Sequence, residues 1–208
     1  MPLTAGIDSG STALKLVIME GGRIVEQGLE RTSPDPQQGM RALLGRIPGG
    51  CPIVATGYGR DWLEIEHGLP TITEIKAHAI GASHLVPGCR AVVDIGGQDV
   101  KMIQLDASGK VQKFHMNDRC AAGTGRFLEI MAERLGCSLE AFALASAQGA
   151  EGLRINAMCT VFAESEVVGL LGRGCAREDI GRALHRSIAT RIAAMLGPGG
   201  PGEGGAVL

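Results

Sequence analysis

The sequence predicts an α/β protein in which a three-strand β-meander occurs twice, with helices following each copy. Three observations carry this. Residues 3–28, LTAGIDSGSTALKLVIMEGGRIVEQG, read as an apolar strand ending in Asp8, a small-residue turn, a second strand, Gly21-Gly22 and a third strand. Residues 89–114, CRAVVDIGGQDVKMIQLDASGKVQKF, repeat that layout: Asp8 matches Asp94, Gly10 matches Gly96, Lys15 matches Lys101, Glu20 matches Asp106 and Val25 matches Val111, without a gap. Behind Cys120 and Cys159, finally, apolar residues recur at helical spacing.

The elements after the first meander follow in order. TGYGRDW, residues 56–62, reads as a strand-to-helix turn with no chemistry assigned to it. Phe127, Leu128, Ile130, Met131 and Leu135 predict an amphipathic helix over 121–135, which places Cys120 at its start. Cys159 holds the same position ahead of Val161, Phe162, Val167, Val168, Leu170 and Leu171, a helix ending at Gly172. Arg173, Arg177, Arg182, Arg186 and Arg191 form a basic series read as a solvated face. The expected organisation is a first domain over 1–75, a second over 76–196, and a Gly-rich flexible tail over 197–208, in which Ala206-Val207-Leu208 looks like the opening of a strand that is not there.

A chain of 208 residues with 45% apolar residues buries a real core. Its net charge of −2 and 3% aromatic content argue against a nucleic-acid surface, which needs a basic field and stacking rings. The opening MPLTAGIDSG has no leader pattern and no apolar run approaches membrane-spanning length, so a cytoplasmic protein is expected. In that compartment the six cysteines read as thiols or metal ligands rather than as a disulfide framework.

The repeated turn carries the first chemistry. Gly10 and the hydroxyls of Ser9, Ser11 and Thr12 let backbone N–H groups approach a phosphate, Lys15 adds charge, and Asp8 is placed to hold water on Mg2+. In the second copy Gly96 and Gly97 play the same part, Asp94 is a second carboxylate, and Gln98 is able to orient a water. Two such turns would clamp a polyphosphate and its metal. Asp, Ser and Gly also dominate ordinary hairpins, so it is the repetition of the aspartate that favours phosphate binding.

The cysteines carry the second. A helix N-terminus favours a thiolate or an anionic metal cluster. Cys137 is held about 25 Å from Cys120 by some 16 intervening helical residues, and Cys175 is separated from Cys159 in the same way. Cys51, Cys89, Cys137 and Cys175 therefore read as small buried hydrophobes. That leaves two thiols per chain where a [4Fe-4S] cluster takes four, a count that a two-fold dimer closes; from spacing alone a structural role for both thiols stays equally open.

Taken together, GIDSGST, VVDIGGQDVK, NDRCAAGTGRFLE and CTVFAESEV resemble the activator family of 2-hydroxyacyl-CoA dehydratases, related to the ATP-binding subunits of benzoyl-CoA reductase. The resemblance covers nearly the whole chain and implies two ribonuclease-H-like domains of the actin-like ATPase type. It puts the phosphate turns on Asp8 to Thr12 and on Asp94 to Asp99, and the cluster ligands on Cys120 and Cys159. By the same resemblance the protein is a homodimer with one [4Fe-4S] cluster between subunits. It hydrolyses ATP to drive a low-potential electron, received from a donor such as ferredoxin or flavodoxin, into a dehydratase or reductase partner. The family's later Gly-rich adenosine motif has no counterpart before Leu208. Weak and unselective nucleotide binding is expected from that. A sugar or carboxylate kinase of the same fold and a non-catalytic nucleotide-binding scaffold are the competing readings.

Overall fold

The computed structural model describes residues 2–156, 159–196 and 206–207. They divide into two units, Met1–Gly81 and Ala82–Leu208. The first holds β1 (Leu3–Ser9), β2 (Ala13–Glu20), β3 (Arg23–Arg31), α1 (Pro36–Leu44), β4 (Ile53–Gly57) and α2 (Arg60–His67), and α3 (Glu74–Leu85) runs across the division. The second holds β5 (Ala91–Ile95), β6 (Val100–Leu105), β7 (Val111–Asn117), α4 (Gly125–Arg134), α5 (Leu139–Gln148), α6 (Thr160–Gly172), α7 (Arg177–Leu196) and β8 (Ala206–Val207). Of the expected tail, residues 197–205 and 208 lie outside the described residues.

Alternation along the first meander builds the first core. Ala5, Ile7, Leu14, Leu16 and Ile18 point to one face and bury against Met40 and Leu43 of α1 and Leu63 of α2. Asp35 caps α1 by accepting from the Gln38 N–H at 3.2 Å, with Pro36 in the first turn. The second core is helical: Phe127 and Met131 of α4, Phe142 of α5, Val167 and Leu170 of α6, and Ile180 and Leu184 of α7 form one buried cluster.

The two sheets repeat each other closely. Strand order is β3-β2-β1-β4 in the first and β7-β6-β5-β8 in the second, each an antiparallel meander with a fourth strand parallel to its first. The parallel partner starts opposite Ala5 in one unit and opposite Ala91 in the other, the same position of the repeat. A β-bulge falls after Ile18 in the first hairpin and after Gln104 in the second, again the same position.

Three expectations need correcting. The gapless match stops at the second hairpin: Glu20 pairs with Arg23 across a two-residue turn, whereas Asp106 and Lys110 close a three-residue one, so β7 is displaced by one residue and Val25 does not correspond to Val111. Ala206-Val207 is a strand in place, because the open edge of β5 at Ala91-Val92 accepts it as a parallel neighbour. The helix expected over 121–135 begins at Gly125, since Gly123 sits at φ +103°, outside any right-handed helix, and Thr124 is the N-cap. Among the described residues no helix is long and apolar enough to cross a membrane.

Candidate functional site

In the first unit Asp8 and Lys15 are cross-strand partners on β1 and β2. Lys15 Nζ donates to Asp8 Oδ2 at 2.6 Å, with the lysine half exposed. The other carboxylate oxygen, Asp8 Oδ1, is buried and has no hydrogen-bond partner, and neither does Thr56 Oγ1 on the neighbouring strand position of β4. A buried unpaired carboxylate oxygen costs free energy unless water or a cation meets it, which fits the magnesium expected there.

The surroundings of Asp8 were not legible as a site. Gly57, at φ +97°, comes so close that a Cβ on it would lie 2.5 Å from both Asp8 Oδ1 and the Ser9 carbonyl. Gly59 donates its N–H to the Ser9 carbonyl at 3.0 Å, and a Cβ there would collide with Ser9 Oγ. Gly57 and Gly59 thus bring bare backbone against Asp8 and Ser9. The available signal was a GxG directly after an apolar strand and before an amphipathic helix. Gly10 N–H donates to Ala13 O at 3.1 Å, and Thr32 of the segment after β3 holds the turn from behind, its Oγ1 donating to Gly10 O at 2.9 Å and its N–H to Thr12 O at 3.0 Å. Ser11 and Thr12 lie half-buried on the turn.

In the second unit the same pair is closed over. Lys101, 2% exposed, donates to Asp94 Oδ2 at 3.1 Å and to Asp99 Oδ1 at 2.6 Å. Two carboxylates compensate the burial of one ammonium. Asp99 is buried with its carboxylate on Lys101, and a Cβ on Gly96 would lie 2.5 Å from Asp99 Oδ1. Gln98 is exposed and Gly97 half-buried.

Cys159 is the N-cap of α6, with an exposed thiol and no side-chain capping bond. Cys120 does not cap α4: it stands on the loop before Thr124, half-buried against the helical core, its carbonyl accepting from Asn117 Nδ2 at 3.5 Å. α4 and α6 meet through an Arg134–Glu164 ion pair as well as through the core. Glu166 accepts from the Asn156 N–H, fixing the segment that leads towards Cys159. Of the four thiols expected to be buried only Cys89 is, beside Ala91 O at 3.2 Å; Cys51, Cys137 and Cys175 are half-buried at the margins of the two cores, Cys137 sitting 3.5 Å from Ala132 O. Among the described residues no three His, Cys, Asp or Glu side chains gather as a metal site. An open cavity of about 470 Å³ in this unit is lined by Arg154, Asn156, Arg186 and Arg191, and no phosphate-turn residue borders it; of the Arg series, Arg173, Arg177 and Arg186 are exposed and Arg182 and Arg191 half-buried.

The sequence profile of the BadF/BadG/BcrA/BcrD ATPase family matches residues 5–203. The chain belongs to that family. Over 205 residues it is 40% identical to the activator of lactoyl-CoA dehydratase from Anaerotignum propionicum, covering 95% of this chain and 78% of the relative. The crystal structure of (R)-2-hydroxyglutaryl-CoA dehydratase component A from Acidaminococcus fermentans superposes with a TM-score of 0.86 at 38% identity, covering 94% of this chain and 78% of that one. The activator of the 2-hydroxyisocaproyl-CoA dehydratase from Clostridium difficile, solved with bound ADPNP, gives a TM-score of 0.83 at 35% identity, with 93% and 75% covered. The duplicated meander of this BadF/BadG/BcrA/BcrD ATPase is accordingly the frame of the dehydratase activators.

Proposed function

We propose that the chain is an ATP-dependent activator that passes a low-potential electron to an acyl-CoA dehydratase or reductase partner. The observation that carries this reading is the combination, in one chain related along its length to dehydratase activators, of two Asp-x-Gly-x4-Lys turns with one thiol capping α6 and a second on the loop that leads into α4. Asp8 and Asp94 would each offer a carboxylate to magnesium or its water, Lys15 would neutralise phosphate, and Gly10, Gly96 and Gly97 would admit the phosphates to the backbone. Gln98 is exposed on the second turn, where it orients water. Asp99 is assigned to holding Lys101 in place.

Cys120 and Cys159 are the cluster ligands of this reading. A [4Fe-4S] cluster bound by them would supply one-electron chemistry. One chain offers two thiols, so two chains share four, and α6 supports such a homodimer: starting from exposed Cys159 it presents Val161, Phe162 and Val168 to solvent, Phe162 being 69% exposed. Residues on that face exclude water from the thiolates once a second copy covers them. Ferredoxin or flavodoxin is the proposed electron donor, and the cytoplasm the proposed location.

Anaerobic purification tests the proposal. The protein is expected to be brown, with iron bound at about four per dimer, and Cys120→Ser or Cys159→Ser each to lose most of the iron and weaken the dimer, while Cys137→Ser retains both. Full iron content in either of the first two variants sinks the shared cluster. A colourless protein that phosphorylates a sugar establishes a kinase instead, and a colourless protein without ATP hydrolysis a scaffold.

A further inference from the structure

The two phosphate turns hand their first glycine carbonyl to different places. In the first unit Gly10 O accepts from Thr32 Oγ1, a side chain of its own meander. In the second, Gly96 O accepts from the Gly125 N–H at 2.8 Å and Gly97 O from the Arg126 N–H at 2.9 Å, so the opening donors of α4 are bound to the turn itself. The first N–H groups of a helix ordinarily seek a cap or water. Here they bind the carbonyls of Gly96 and Gly97 on the second turn.

This approach leaves little room for a side chain at residue 125. A Cβ on Gly125 would stand 3.2 Å from Gly96 O and 3.4 Å from Gly97 Cα, both backbone atoms that have no freedom to swing aside. On the other flank, fully buried Thr124 closes a tight turn, its N–H and its Oγ1 both donating to Ala121 O at 3.0 and 2.7 Å. Ala122 and Cys120 pack on the helical core beside it. From Gly96 to Cys120 the chain is therefore linked by short hydrogen bonds and buried contacts. Among the described residues no hydrogen bond ties Cys159 to the turn, and the helix it caps, α6, reaches α4 through Arg134–Glu164 and shared core packing.

Resting on the activator reading above, we propose that Gly125 is a positioning residue that makes the second phosphate turn and the Cys120 segment move as one body, so that nucleotide bound at Gly96 and Gly97 is felt at Cys120 before Cys159. A ligand shifts such an element only by binding its two arrangements differently. The turn supplies that difference, because its glycine carbonyls have to keep their donors on α4 while its N–H groups meet phosphate.

The test is amide exchange resolved to single residues on the anaerobically purified full chain, with and without magnesium and ADPNP. In the wild type the exchange of Gly125, Arg126 and residues 118–124 is expected to change by about fivefold or more when nucleotide protects residues 94–101. In Gly125→Ala protection of 94–101 persists and the response of 118–124 disappears, whereas Gly172→Ala, whose Cβ would meet nothing, behaves as wild type. Protection at 94–101 without any change at 118–126, or a response of 118–124 that survives in Gly125→Ala, overturns the inference and leaves the activator reading standing. If Gly125→Ala does not fold, the wild-type measurement decides alone. Absence of protection at both 8–15 and 94–101 removes the nucleotide reading and the inference with it.

Discussion

The two meanders share strand order, the register of the parallel partner and the position of a bulge, and they differ in the chain that joins the third strand to the fourth. Between β3 and β4 lies the single helix α1; between β7 and β8 lie α4 to α7 with both candidate cluster cysteines. Their aspartate–lysine pairs differ as well, the lysine half exposed in the first unit and buried between two carboxylates in the second. The sheet is thus a common frame, while both candidate cluster cysteines are confined to one crossover.

Variants that treat the copies alike should break this comparison where it is expected to hold most strongly. Asp8→Ala and Asp94→Ala are each expected to abolish ATP turnover and to leave the visible spectrum of the anaerobic protein intact, because the proposed function gives the carboxylates to magnesium and water while the thiols sit in the crossover. Phosphate release assays beside absorption spectra check this. Equal turnover in both variants and wild type means that the turns are only turns.

Stability separates the copies next. Asp99→Asn leaves Lys101 buried with one carboxylate fewer and should destabilise the protein by about 3 kcal/mol in urea unfolding. Lys15→Met removes a pair whose lysine is half exposed and should cost less than about 1 kcal/mol. Gly57→Ala forces a side chain onto Asp8 from a left-handed backbone and should cost about 2 kcal/mol while weakening ATP binding. The smallest effect belongs to Asp106. Hydrogen bonds from the Ser108 hydroxyl and the backbone of the longer hairpin hold its carboxyl below the ordinary carboxylate value. Since the folded value is depressed, its stabilisation is present above the ordinary value and is lost as pH falls through the folded one. Asp106→Ala should accordingly lower Tm slightly at neutral pH, and the difference from wild type should vanish in acid.

The duplication, the matched places of Asp8 and Lys15 with Asp94 and Lys101, and the start of α6 at Cys159 were legible because each rests on local pattern: a repeated turn, a period of two, a period of 3.6. What escaped depends on partners far away in the chain. Thr56, Gly57 and Gly59 acquire a role only when β4 pairs with β1, which brings them against Asp8 and Ser9. Asp99 looks like part of a phosphate turn until Lys101 is seen buried against it. The late start of α4 follows from the conformation of Gly123, which spacing of apolar residues does not report. A one-residue difference between hairpin turns is likewise invisible to a gapless match.

That one frame carries crossovers of such different size has an entropic reading. The segment joining the third strand to the parallel fourth runs over 32–52 in one copy and 118–205 in the other. The longer is about fourfold the shorter, and at about 0.6 kcal/mol for each doubling a flexible closure of that length costs only about 1.2 kcal/mol more. α4 to α7 reduce even this, because a packed bundle fixes the separation of its own ends before the sheet closes on them. A duplicated meander is therefore a cheap place to insert a folded module, and the insertion leaves the register of β8 opposite Ala91 where β4 lies opposite Ala5.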